Sequence, residues 1–384
     1  MISKNLPAVG SFALGLQYAA VGSVFAAIGA VASQLTSRAG TGRALCFGIL
    51  GLTFVLRIAG DVTSLHWLSW LSPLGWAEQL RPFGSEQWWI FAPVIAFIVV
   101  LSIVASLLLT HRDIGSGLIP SKPGPAAASP NFRTPLALGW RLHRNLLIGW
   151  TAGLAVMGLV LGGVASSLNG LLQDTPQAQQ IITKLEGQTG IINAYFAGVM
   201  GLFALVVGGY AIQATLRMRS EETNLRAEPV LATSVGRIRW AISHLFFAIL
   251  GPAMVLAGMG LAAGLIRGIN AHDLTGQLLV LLASAMVQLP AVWVLVGISV
   301  ALFGLFPKWT GLSWGVLGAC VLLLFINAIF NLPQWVMNIS PFIDIPKIPG
   351  GSFSIGPVII LTVIGGLLTW IGLIGLKHRD FGKV

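Results

Sequence analysis

The chain has 384 residues, of which 55% are hydrophobic and only 9% charged, with 47 glycines and a mean hydropathy of +0.86. An ordinary soluble domain carries about 25% charged residues. Charge this scarce excludes a cytosolic enzyme, a disordered chain and a nucleic-acid-binding domain, despite a net charge of +10. The two cysteines, Cys46 and Cys320, both sit in apolar runs, which excludes a disulfide scaffold. What remains is an all-α, polytopic transmembrane helical bundle.

A helix needs about 20 apolar residues to cross a bilayer core. Nine stretches satisfy this: 10–33, 43–60, 87–109, 146–168, 191–214, 241–266, 276–306, 312–330 and 353–376. The seventh carries Pro290 and the sixth Pro252, so a kink or tilt is expected at each. Lysine and arginine divide 16 to 5 between the two sets of connecting segments, with Arg57 inside a span. The basic set marks the cytoplasmic face, which places the C-terminus inside and Met1 outside in a cell (plasma) membrane.

Residues 116–134 are rich in Pro, Gly, Ala and Ser and read as a cytoplasmic linker. They separate a three-span part, 1–115, from a six-span part, 135–384. Residues 136–146, with Arg141 and Arg144 beside Trp140, are expected to form a short interfacial helix before the fourth span. The outer segments 61–86 and 331–352 hold Trp67, Trp70, Trp76 and Trp335 among prolines. They are too broken to span, and tryptophan suits headgroup depth.

Two parts of the chain match in the same order. Val21-Gly22 and Gly29 match Val296-Gly297 and Gly304; Ser72-Pro73 matches Ser340-Pro341; His111-Arg112-Asp113 matches His378-Arg379-Asp380. This collinearity predicts an internal repeat of a six-span unit. The first copy holds only the last three spans of the second. The chain therefore reads as an N-terminally shortened form of a twelve-span protein.

No catalytic signature is present. The chain has no G-x-x-x-x-G-K-[ST] phosphate loop, H-E-x-x-H or C-x-x-C. No cofactor and no metal site is expected on it. His111, His244 and His378 lie near span ends and read as packing or interfacial residues. No carboxylate falls at the centre of a span, which disfavours an ion-coupled carrier. Gln17, Gln213, Gln288 and Asn327 are the amide side chains within or at the edges of spans. They read as interhelical hydrogen-bonding groups, with Gln17, Gln288 and Asn327 as candidates for a translocation path. Gly158/Gly162, Gly260/Gly264 and Gly311/Gly315 have GxxxG spacing and read as close helix packing.

The most charged segment is 217–241, RMRSEETNLRAEPVLATSVGRIRWA, between the fifth and sixth spans. Arg219/Glu222 at i,i+3 and Glu222/Arg226 at i,i+4 predict a short surface helix, ended by Pro229. Positive-inside bias does not account for three glutamates here. A helix presenting both signs suits docking onto a soluble partner.

Glu221-Glu222, then Arg226-Ala227-Glu228, then Leu231-Ala232, Val235 and Arg237 resemble the E-E-x-x-x-R-A-E-x-x-L-A-x-x-V-x-R stretch of ABC-2 type permeases that export polyketide antibiotics. The resemblance extends over nearly the whole chain. It implies the ABC-2 permease architecture and an ATP-driven exporter of hydrophobic or amphipathic small molecules. It also implies a separate ABC ATPase subunit that holds the ATP. Glu221, Glu222, Arg226, Ala227, Glu228 and Arg237 would then be the residues that couple to that ATPase. An ion-coupled secondary multidrug carrier, a membrane scaffold and a truncated relic are the competing readings.

Overall fold

In a bilayer a backbone must satisfy its own hydrogen bonds, and an apolar helix does this alone. The computed structural model describes residues 7–37, 39–62, 67–111, 117–119, 134–173, 188–330, 332–351 and 353–379. Residues 120–133 of the expected linker and Arg112, Asp113 and Asp380 of the matched triplets lie outside the described residues. The chain divides into two units, Met1–Ala127 and Ala128–Val384.

The first unit contains α1 (Ala8–Leu35), α2 (Ala39–Val62), α3 (Trp67–Trp70), α4 (Pro73–Gln79) and α5 (Phe91–Thr110). Val24 and Ile28 of α1 pack against Val94 of α5, with Ile90 before it and Trp76 of α4 against the same cluster. At the end of this bundle Arg57 of α2 pairs with Asp61 at 3.4 Å and with Glu78 of α4. The Ser69 hydroxyl donates to Asp61 Oδ1 at 3.0 Å. Arg57, which sequence alone places near the end of a span, is thus an ion-paired strut between α2 and α4. Trp70 stacks on Trp89 with centroids 5.7 Å apart.

The second unit contains α6 (Pro135–Gln173), α7 (Gln188–Thr215), α8 (Arg217–Thr223), α9 (Ala227–Leu231), α10 (Arg237–Ala271), α11 (Leu274–Met286), α12 (Leu289–Leu305), α13 (Leu312–Phe330), α14 (Gln334–Met337) and α15 (Ile355–His378). Its core is built on Phe196, Met200 and Tyr210 of α7, Trp240, Leu256 and Met259 of α10, and Phe303 of α12. Glycine sets the closest approaches. A side chain at Gly162 would meet Ala263 O at 2.6 Å, and one at Gly260 would meet Leu281 O at 2.9 Å. Two of the three GxxxG pairs are therefore packing sites. Gly311 and Gly315 face open space.

Among the described residues, eight helices are long and apolar enough to cross a membrane. The remaining expected stretch is helical too, with a shorter apolar part, Leu312–Asn327. Three local expectations change. Residues 136–146 are not a separate interfacial helix but the first turns of the continuous 39-residue α6. The seventh span is broken at Val287–Gln288, just ahead of Pro290, which sits in the first turn of α12 where its missing N–H costs least. By contrast, α10 runs unbroken through Pro252. Proline deprives the α10 backbone of a donor there. The Tyr210 hydroxyl donates to Phe247 O at 3.3 Å and Trp293 Nε1 to Ile249 O at 3.0 Å, so neighbouring helices supply hydrogen bonds to this stretch.

The matched glycines of the two parts behave differently. Gly22 and Gly29 face open space, whereas Gly297 and Gly304 lie against the backbone of Gly365 and Gly372 in α15.

Candidate functional site

The charged segment forms an elbow between α7 and α10. α8 ends in a left-handed residue, Leu225, with φ of 57°. Leu225 N–H donates to Glu222 O at 3.0 Å and Arg226 N–H to Glu221 O at 2.9 Å. These two bonds are the Schellman pattern, which satisfies the last carbonyls of a helix. The chain then turns into α9, where Pro229 occupies the third position. Proline is accommodated in a first turn because the N–H groups there have no helical acceptor. The helix predicted to run to Pro229 is therefore two short helices, and the break is made by Leu225.

This turn redistributes the ion pairs. Glu222 and Arg226 no longer share a helix face. Glu221 receives Arg217 at 3.0 Å and Arg226 at 3.8 Å. Glu222 receives Arg219 at 3.5 Å, as its spacing predicts, and Arg379 at 2.6 Å. Glu221 and Glu222 are 6% and 5% exposed, so they face the protein interior. Buried carboxylates need this neutralisation, since an unpaired buried charge costs several kcal/mol (about 3–5 on loss of one partner). Ala227 is buried beside them.

The outward face of the elbow belongs to Arg226, Glu228 and Arg237, which are exposed. Glu228 and Arg237 border a shallow open hollow floored by Leu231 and Val235. Arg237 also donates from Nη1 to Arg379 O at 2.7 Å. Of the six residues singled out for coupling, three therefore hold the elbow together and three present it.

The amide side chains are dispersed. Gln17 lies half-buried in the first unit, and its buried Oε1 has no hydrogen-bond partner among the described residues. Gln288 sits at the α11–α12 break, 4% exposed, and its Oε1 has no protein partner among the described residues. Asn327 Oδ1 accepts from Leu332 N–H at 3.0 Å and so ties down the end of α13. Gln213 accepts from Trp150 Nε1 at 3.2 Å. An apolar groove between α6 and α10 is lined by Trp140, Leu147, Phe247 and Met254.

One arrangement had no sequence signal. His143 of α6 and His244 of α10 are both buried and joined through Nε2 and Nδ1 at 3.0 Å. His143 stacks on Phe247 with centroids 5.1 Å apart, and His244 meets Trp240 edge-on at 5.1 Å. Among the described residues no group of three or more metal-ligating side chains gathers here or elsewhere.

Residues 132–377 match the family described as the multidrug efflux system permease Rv1217c, C-terminal domain. The chain is also 39% identical over 380 residues to the multidrug efflux system permease protein Rv1217c of Mycobacterium tuberculosis (strain ATCC 25618 / H37Rv). That similarity covers 99% of this chain and 69% of the relative. With its array of apolar membrane-length helices, the chain is a multi-pass membrane protein that belongs to the family of the multidrug efflux system permease Rv1217c.

Proposed function

We propose that this chain is the permease subunit of a drug-efflux system, driven by ATP hydrolysis on a separate ABC ATPase. The observation that carries this reading is the match, over nearly its whole length, to a protein named as a multidrug efflux permease. The absence of a phosphate loop from the sequence supports a separate motor subunit. The exposed mixed-charge face of Arg226, Glu228 and Arg237 is the docking surface for that subunit, with Glu221, Glu222 and Ala227 bracing it from behind. The ATP stays on the ATPase, and this chain binds no cofactor of its own.

The transported compounds are hydrophobic or amphipathic, of the polyketide or macrolide kind expected of ABC-2 permeases. The apolar groove beside Trp140 and Phe247 favours such ligands. Gln288, a buried amide at a broken helix, is the polar point on the translocation path best suited to meet them. Gln17 and Asn327 are secondary candidates on that path. The protein sits in the plasma membrane with the elbow and the C-terminus cytoplasmic. Its two units derive from one duplicated six-span ancestor.

Reconstitution with the candidate ATPase tests the reading. ATP-dependent efflux of a hydrophobic dye, stopped by vanadate and indifferent to a proton uncoupler, is expected. Uncoupler-sensitive, ATP-independent efflux would replace it with the ion-coupled carrier.

A further inference from the structure

The end of α15 is held by an arginine that touches three other elements. Arg379 follows the last helical residue and leaves α15 in extended conformation. Its Nη2 donates to Glu222 Oε2 of α8 at 2.6 Å. Its guanidinium lies 4.6 Å from the ring centroid of Phe303 in α12. Its carbonyl accepts from Arg237, the first residue of α10. The Arg379 and Glu222 side chains are 15% and 3% exposed.

Below this junction α12 and α15 meet backbone to backbone at their glycines. A side chain at Gly297 would meet Gly365 O at 2.6 Å, and one at Gly375 would meet Gly304 O at 3.0 Å. Gly304 also lies against the Gly372 carbonyl. Backbones this close move together, because packed interiors transmit strain rather than absorb it. The elbow has a contrasting weak point. Its two helices have seven and five residues and meet at the strained Leu225.

We infer that Glu222 and Arg379 form a clasp that makes α8 and the α12–α15 pair one moving body. A displacement of the elbow then reaches α12 and α15 instead of dissipating at Leu225. Arg379 is in this sense a positioning residue. A short charge-assisted hydrogen bond suits the task, since it is strong and directional. Phe303 holds the guanidinium plane against α12 while Arg237 holds its backbone. Only the source of the displacement rests on the proposed efflux reading.

Amide exchange on the purified full chain in nanodiscs tests the clasp without transport. Glu222→Gln should speed exchange at 372–379 about 10-fold, and Arg379→Gln should speed exchange at 217–231 about 10-fold. Arg226→Gln, which loses only a 3.8 Å contact at an exposed site, should loosen the elbow alone. If each clasp variant loosens only its own segment, or neither segment responds, the inference is overturned. Should either variant fail to fold, Glu222→Cys with Arg379→Cys in a Cys46→Ala, Cys320→Ala background provides a second route. A short bifunctional thiol cross-linker should then restore wild-type protection in both segments, and failure to restore it overturns the clasp.

Efflux separates the two claims. With the ATPase bound normally, Arg379→Gln should lower dye efflux at least about 10-fold. Normal efflux by that variant would remove the clasp from the transport cycle. No ATP-dependent efflux from the wild type, with reciprocal exchange intact, would sink the proposed driver and leave the clasp standing.

Discussion

His143 Nε2 and His244 Nδ1 lie 3.0 Å apart, joining α6 to α10 across 101 residues of sequence. One ring donates and the other accepts, so each satisfies a polar atom that burial would otherwise strand. Replacing either by alanine should cost about 1–3 kcal/mol, because the surviving ring keeps a buried unpaired nitrogen. The double replacement should cost less than the sum by about 1 kcal/mol, since it removes both polar groups. A double-mutant cycle by denaturant titration in detergent checks this. Strict additivity would mean that the hydrogen bond carries no coupling.

Gly304 and Gly29 occupy matched positions in sequence but not in packing. Gly304→Ala should destabilise the protein by about 1–3 kcal/mol, because its methyl group would collide with the Gly372 carbonyl. Gly29→Ala should be neutral or stabilising by up to about 1 kcal/mol, since open space surrounds it and alanine favours a helix. Thermal unfolding of the two variants side by side distinguishes them.

Leu225 adopts a left-handed conformation usually given to glycine. Leu225→Gly should be neutral or stabilising by up to about 1 kcal/mol. Leu225→Val should be destabilising by about 1–2 kcal/mol, as β-branched residues resist positive φ. Protease sensitivity of the elbow provides the measurement.

Arg226 is 61% exposed and Glu228 is exposed as well. Glu228→Lys should change stability by no more than about 0.5 kcal/mol, whereas Arg226→Glu should cost about 1 kcal/mol more, because it sets a second carboxylate near the buried Glu221. Each should nonetheless reduce co-purification with the ATPase at least about 10-fold, as like-charge contacts at an interface cost several kcal/mol. Full co-purification and transport by both variants would remove the docking face.

Charge asymmetry predicts which side each loop occupies. In a Cys46→Ala, Cys320→Ala background, Ser234→Cys should react with a membrane-impermeant maleimide only after the cell is opened. Lys347→Cys should react from outside in intact cells. The opposite pattern would invert the orientation.

Much of this architecture is local and therefore legible. Each apolar stretch became a helix because its length and hydropathy suit a bilayer. Pro290 marked where the seventh span departs from a straight helix, though the departure is a break at Val287–Gln288 rather than a kink. Arg219 and Glu222, three residues apart, paired as their spacing requires. The elbow was recognisable as the most charged segment, yet its shape was not. Nothing in Asn224-Leu225-Arg226 signals a left-handed turn at leucine, and that turn moved Arg226 from Glu222 to Glu221.

The sequence by itself determined a helical membrane chain, the charge asymmetry of its loops and the segment where mixed charge gathers. These follow from composition and from contacts within a few residues. Only the tertiary structure decided that Glu222 meets Arg379 and that His143 meets His244, pairs 157 and 101 residues apart. It also decided that Gly304 touches another backbone while Gly29 does not. Such partners are chosen by how helices cross and rotate. That depends on packing over their whole length, and a single chain of letters carries no local mark of it.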